Sequence, residues 1–129
     1  MGKTLLAFVL VLAIFFLVAF TVYGAFSALT GLKPPGDAPP LDFLGGVLVV
    51  KAGHAIAFVG LFYLGRDAFT ERWLTYAFVW WLMFVVGEIG QAIGLAYPWE
   101  DAIAGVISET IYFPAAALVT RRLVGTRQP

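Results

Sequence analysis

Long apolar runs separated by short polar breaks divide the chain into four segments. The runs cover residues 5–26, 44–64, 73–96 and 102–119. A helix needs about 20 residues to cross a hydrocarbon core about 30 Å thick, and each run is close to that length or longer. The pattern therefore predicts an all-α integral membrane protein, a four-helix bundle that forms a single transmembrane domain over residues 1–129.

The connections between the runs are short, with one exception. Residues 30–42 include Pro34, Pro35, Pro39 and Pro40, a composition that predicts an extended polar loop. The first apolar run is longer than the apolar part of a signal peptide, so we expect it to be retained as a membrane span.

Basic residues set the predicted orientation, because the cytoplasmic flanks of membrane helices are enriched in lysine and arginine. The side that holds the N-terminus carries most of them, whereas the opposite loops hold only Lys33 among basic residues. Both termini are therefore expected in the cytoplasm, with the protein in the inner or plasma membrane of a prokaryote. The basic residues on the N-terminal side are Lys3, Arg66, Arg72, Arg121, Arg122 and Arg127, and the acidic residues opposite are Asp37, Asp42, Glu100 and Asp101.

The composition excludes several classes of protein. Hydrophobic residues make up 61% of the chain and charged residues 12%, which is too little charge to cover a water-soluble fold. The formal net charge is zero and the basic residues are scattered, so no nucleic-acid partner is expected. Because the chain has no cysteine, it has no disulfide, thiol nucleophile or thiolate metal ligand.

Ionisable residues occur inside three predicted spans, where each costs about 2.5 to 3.5 kcal/mol to insert and is usually functional. Lys51 and His54 lie in the second span, Glu88 in the third and Glu109 in the fourth. Counted from the outer ends of the helices, they lie at similar depths of about 8 to 14 Å. With their polar neighbours they predict an outer-leaflet polar pocket. Its residues are Lys51, His54, Glu88, Gln91, Asp101, Ser108 and Glu109.

Small residues accompany these polar residues at helical spacing. Such residues let membrane helices approach closely, so the second, third and fourth spans are expected to form the core, with the charge-free first span outside them. The small residues are Gly53 and Ala57 in the second span, Gly87, Gly90 and Gly94 in the third, and Ala104 and Gly105 in the fourth.

The polar residues admit a structural and a functional interpretation. A Lys51–Glu88 ion pair and a His54–Glu109 hydrogen bond would hold helices together without any further role. One positive and two negative formal charges instead imply that His54 is protonated, that one glutamate is neutral, or that something cationic is bound. A metal is not favoured, because Lys51 would repel it and no HExxH-type pairing is present, and proton transfer by His54 is the better alternative.

The order and spacing of the polar residues resemble those of the VanZ-like membrane proteins, a family named for the teicoplanin-resistance protein. The resemblance covers about residues 44–120. The chain departs from the family at Val50, where the family often has aspartate, and at Gly105, where it often has asparagine. The chain also lacks an arginine between Gln91 and Asp101, and it has an additional acidic residue, Glu109. The motif residues are Lys51, His54 and Phe58 in a Lys-x-x-His-x-x-x-Phe pattern, Glu88 and Gln91 in Glu-x-x-Gln, and Asp101 at the start of the fourth span.

The resemblance implies a four-helix fold and a cell-envelope role that lowers sensitivity to lipoglycopeptides. A VanZ-like protein would bind a lipid headgroup or a lipoglycopeptide tail at the pocket, with membrane lipids as partners. The alternative is a small accessory subunit, packed against a larger respiratory or photosynthetic membrane complex, whose polar residues are structural. A proton or small-solute transporter would have to be a homo-oligomer, since four short helices barely enclose a pathway. No nucleophile, metal or cofactor motif favours an enzyme, and no cofactor is expected.

Overall fold

The computed structural model describes residues 1–34 and 36–126, so Pro35 of the first loop and Arg127 among the basic residues lie outside the described part. Secondary structure within these two ranges is helical throughout, and four of the helices are long and apolar enough to cross a membrane. The all-helical prediction with four candidate spans is confirmed. The helices are α1 (Gly2–Thr30), α2 (Pro40–Leu64), α3 (Arg66–Phe69), α4 (Trp73–Gly94) and α5 (Trp99–Val124).

Turn-forming residues fix the helix ends. Gly31 ends α1 in the left-handed conformation, with φ of 73°, and its N–H bonds the carbonyl of Ser27. Proline is favoured in the first turn of a helix, and α2 accordingly begins at Pro40 rather than at residue 44. Pro98 immediately precedes α5, whose first turn carries two acidic residues that suit the positive end of the helix dipole.

The last span, α5, is the centre of the bundle. Helices α1 and α4 pack along it, while α2 packs mainly on α1 and touches α5 over a shorter length. Half of the most apolar window of α5 is buried, against 22% or less in each of the other long helices. Helices α2 and α4 do not pack backbone to backbone, which leaves a separation between them.

The predicted position of the first span was wrong. Helix α1 is part of the core, where Ala7, Val11, Phe15 and Ala19, spaced four residues apart, are 0% to 7% exposed. In lipid, helices associate by shape and packing rather than by removing apolar surface from water, so the absence of charge in residues 5–26 did not place the helix outside.

The predicted role of the glycines was also mostly wrong. A Cβ atom built on Gly53, Gly87, Gly90 or Gly94 would meet no atom of the described residues within 4 Å, so none of the described helices approaches closely at these sites. Gly105 is the exception among the predicted positions, because it lies against a side chain of α4.

Aromatic rings fill the core from its middle toward α3. The Phe15 ring contacts Phe58 of α2 and Tyr112 and Phe113 of α5. The Tyr76 hydroxyl of α4 donates to the backbone carbonyl of Phe58, which ties α4 to α2.

The connections define two ends of the bundle. The backbone N–H of Thr126 donates to Thr70 Oγ1 at 3.1 Å, so the C-terminal end of α5 lies beside the α2–α4 connection. We call this the α3 end. The opposite end carries residues 31–34, 36–39 and 95–98, and we call it the loop end.

Candidate functional site

Two glutamates from neighbouring helices meet inside the loop-end half of the bundle. The side chains of Glu88 on α4 and Glu109 on α5 lie within hydrogen-bonding reach of each other. Glu109 is only 2% exposed, and no donor in the described residues reaches its Oε2 atom. Because two ionised carboxylates in contact repel, this carboxyl pair suits either a shared proton or a cationic donor from outside the chain.

Gly105 makes the carboxyl pair geometrically possible. A Cβ atom at this position would lie 2.5 Å from Glu88 Cδ and 2.6 Å from Glu88 Oε1. The Glu88 carboxyl therefore rests on the bare backbone of α5, one helical turn from Glu109. The predicted contact between α4 and α5 at this glycine is formed by a polar side chain rather than by backbone.

Lys51 reaches the same region from α2 but does not pair with a glutamate. Its Nζ atom donates to the Tyr112 hydroxyl at 3.2 Å and lies 4.8 Å from the centre of that ring. Within the described residues Lys51 makes no ion pair, so the predicted Lys51–Glu88 pair is not formed. Lys51 bonds Tyr112 instead, while the Glu88 carboxyl lies over Gly105, next to Glu109.

His54 lies one turn closer to the α3 end, against an aromatic ring. Its imidazole meets the Phe84 ring of α4 edge to face, with centroids 4.9 Å apart. The predicted hydrogen bond to Glu109 is absent from the described part of the chain. His54 therefore packs against Phe84 on the α3 side of the other polar residues and does not bond to them.

Helix α1 contributes a tyrosine that the sequence did not single out. The Tyr23 hydroxyl donates to the backbone carbonyl of Asp101 at 3.3 Å. It lies within electrostatic range of Glu88, Glu109 and the Asp101 carboxyl. The sequence signal for Tyr23 was its position as a polar side chain within an apolar run. The signal for Tyr112 was its spacing of three residues from Glu109, which puts both on one face of α5.

Besides His54, two more predicted pocket residues stay apart from the others. Gln91 is exposed on the surface of α4. Ser108 is buried, but its hydroxyl donates to the carbonyl of Ala104 in its own helix at 2.8 Å, so its polarity is satisfied locally. The residues that the structure brings together, called the polar cluster below, are Tyr23, Lys51, Glu88, Asp101, Glu109 and Tyr112.

The polar cluster combines three carboxyl groups, one ammonium group and two phenolic hydroxyls. In the described ranges no three His, Cys, Asp or Glu side chains are arranged to hold a metal ion. The excess of acceptors over donors favours a ligand that brings its own N–H or O–H groups.

The side of the cluster between α2 and α4 is partly exposed. The two helices are bridged toward the α3 end by the contacts of His54 with Phe84 and of Phe58 with Trp80. Lys51 and Glu88 lie on the loop-end side of these contacts, and both are only partly buried there. Two shallow apolar hollows lie on other faces of the bundle, along α1 and α5 and along α4 and α5, and no cluster residue lines either of them.

Comparison with known proteins assigns no relative to the chain. No family model matches it, and the searches of curated proteins and of solved structures also gave no match.

Proposed function

We propose that the chain is a VanZ-like membrane protein of the cell envelope that binds a lipid headgroup, or a lipoglycopeptide with its lipid tail, at the polar cluster. The observation that carries this proposal is Glu109, a buried carboxyl that lies against Glu88 and has an oxygen that no donor from the described residues reaches. A buried acceptor without a partner is costly, and a ligand that supplies the donor would offset that cost. Such a ligand could come from the lipid between α2 and α4 without crossing the packed core.

The proposal places the loop end outside the cell and both termini in the cytoplasm. The α3 end carries Arg66 and Arg72, and α5 ends toward it with Arg121 and Arg122. Since basic flanks stay in the cytoplasm, the polar cluster would lie in the outer leaflet.

Single cysteines test this orientation directly, because the chain contains none of its own. We expect Asp37→Cys, at the loop end, to react with an impermeant maleimide added to intact cells. Thr126→Cys, at the α3 end, should react only after the membrane is opened. Protection at residue 37 together with labelling at residue 126 in intact cells would reverse the orientation and move the polar cluster to the inner leaflet.

The lipid-binding function is tested by the lipid that the purified protein retains. We expect native mass spectrometry to find phospholipid on the wild-type protein and about tenfold less on the double variant Glu88→Gln/Glu109→Gln, which keeps the side-chain shapes but removes both charges. Glu100→Gln, exposed at the loop end, is the matched control and should retain lipid normally. Equal retention by the double variant and wild type would contradict the proposal. In a suitable host, the same double variant should also lose lipoglycopeptide tolerance.

One observation favours the accessory-subunit alternative. Gln91 lies exposed on α4 beside Gly87 and Gly94, where nothing approaches the glycines within 4 Å. A polar side chain flanked by small residues suits the face of another membrane helix. Copurification of a larger membrane protein in fixed ratio, unaffected by Glu88→Gln/Glu109→Gln, would support this function instead.

A further inference from the structure

We infer that the ligand of the polar cluster is a lipid whose headgroup carries both a primary amine and a phosphate, with the amine at the Glu88–Glu109 carboxyl pair and the phosphate at Lys51. This inference rests on the proposed function and specifies its ligand. The inference follows from the fact that the positive charge of Lys51 is not paired with the negative carboxyl groups of Glu88 and Glu109 in the same cluster.

The carboxyl pair matches a primary ammonium group. The two carboxyl groups are held together at Gly105, and Glu109 Oε2 is buried with no donor from the described residues. An ammonium has three N–H donors and one positive charge, so it can bridge both carboxylates and relieve their repulsion. A quaternary ammonium has no N–H donor and is bound by aromatic faces instead. The face of Tyr112 is occupied by Lys51, which leaves it unavailable for that kind of recognition.

Lys51 matches the phosphate. Its ammonium donates to one neutral hydroxyl, that of Tyr112, and has no carboxylate at ion-pair distance among the described residues. Two of its three donors and its positive charge are thus left for an anion. Lysine is a common phosphate ligand that acts as a point charge.

The helix arrangement lets such a lipid reach the cluster with its tails in the membrane. Lys51 on α2 and Glu88 on α4 both lie on the loop-end side of the contact of His54 with Phe84, and both are partly exposed. Exposed apolar side chains share the helix faces of Lys51 and Glu88: Leu48, one turn before Lys51, is 44% exposed, and Leu95, two turns after Glu88, is 69% exposed. Acyl chains could lie along these surfaces while the headgroup contacts the charges.

The test is a competition among headgroups. The full-length protein is reconstituted with equal amounts of phosphatidylethanolamine, phosphatidylcholine and phosphatidylglycerol, and the retained lipids are measured by native mass spectrometry. We expect phosphatidylethanolamine to exceed each of the others about fivefold or more. Glu88→Gln/Glu109→Gln should abolish this preference. Lys51→Met should lower the retention of phosphatidylethanolamine and phosphatidylglycerol alike, while Lys33→Gln, in the exposed loop, should change neither.

The possible outcomes separate this inference from the proposed function. Equal retention of the three lipids, or a preference for phosphatidylglycerol, would overturn the inference while leaving a lipid-binding function. Retention of none of them would overturn both. Should Lys51→Met fail to fold, Lys51→Gln keeps a polar side chain there and tests the same loss of charge.

Discussion

Replacing Phe15 by alanine is expected to destabilise the bundle more than any other single truncation in α1. The ring is 1% exposed and joins three helices, with centroids 5.6 Å from Phe58, 4.8 Å from Tyr112 and 5.5 Å from Phe113. Such truncations cost about 3 to 5 kcal/mol in water-soluble cores, where transfer and cavity terms add. In lipid the transfer term is small, so we expect a loss of about 2 to 3 kcal/mol from packing alone.

Phe20→Ala is the matched control, because Phe20 lies on the same helix at 56% exposure and faces the surface. Unfolding in mixed micelles of mild detergent and sodium dodecyl sulfate measures both variants against wild type. We expect the control to remain within about 0.5 kcal/mol of wild type, as surface substitutions usually do. Similar losses for the two variants would mean that α1 does not pack through the Phe15 face, which is the outer position that the sequence alone predicted.

The contrast between α1 and the other spans explains why the sequence predicted the elements but not their arrangement. Bilayer thickness imposes a length on every span, so the apolar runs were sufficient to find the four long helices. Hydropathy does not reveal which face packs, since lipid and protein interior are equally apolar. Phe15 and Phe20 look alike in the sequence, yet one is buried and the other exposed. Glycine was a poor guide for the same reason, as Gly90 faces open space whereas Gly105 contacts Glu88.

The sequence predicted which charged residues belong to the polar cluster, but it did not predict which residues they contact. Lys51, Glu88 and Glu109 stand out in apolar helices because each is costly there. Their partners depend on the relative rotation of the helices, which no spacing within one helix fixes. Lys51 therefore bonds Tyr112 rather than Glu88, and Tyr23 joins the cluster from an apolar run, residues 5–26, that has no charged residue.

Gly105→Ala is expected to separate a binding site from a structural contact, because it disturbs the carboxyl pair without removing any charge. The new Cβ atom would lie 2.5 Å from Glu88 Cδ, at the far end of a flexible side chain, so the carboxyl should rotate away at little cost to folding. The stability of the bundle should change by less than about 1 kcal/mol, since alanine is the better helix former. Retention of phosphatidylethanolamine should fall about tenfold, because the ammonium would lose one of its two carboxylates.

Two further variants decide what such a loss means. Gly90→Ala, two residues from Glu88 on the opposite side of α4, adds the same methyl group where no atom of the described residues lies within 4 Å, and it should bind lipid like wild type. Glu88→Asp combined with Gly105→Ala shortens the acid by one methylene, relieves the overlap and should restore part of the binding. If Gly105→Ala lowers stability by several kcal/mol and leaves lipid retention intact, then Glu88 and Glu109 hold α4 against α5 and do nothing more. If binding is lost and the aspartate recovers it at unchanged stability, the position of the Glu88 carboxyl is what the ligand requires.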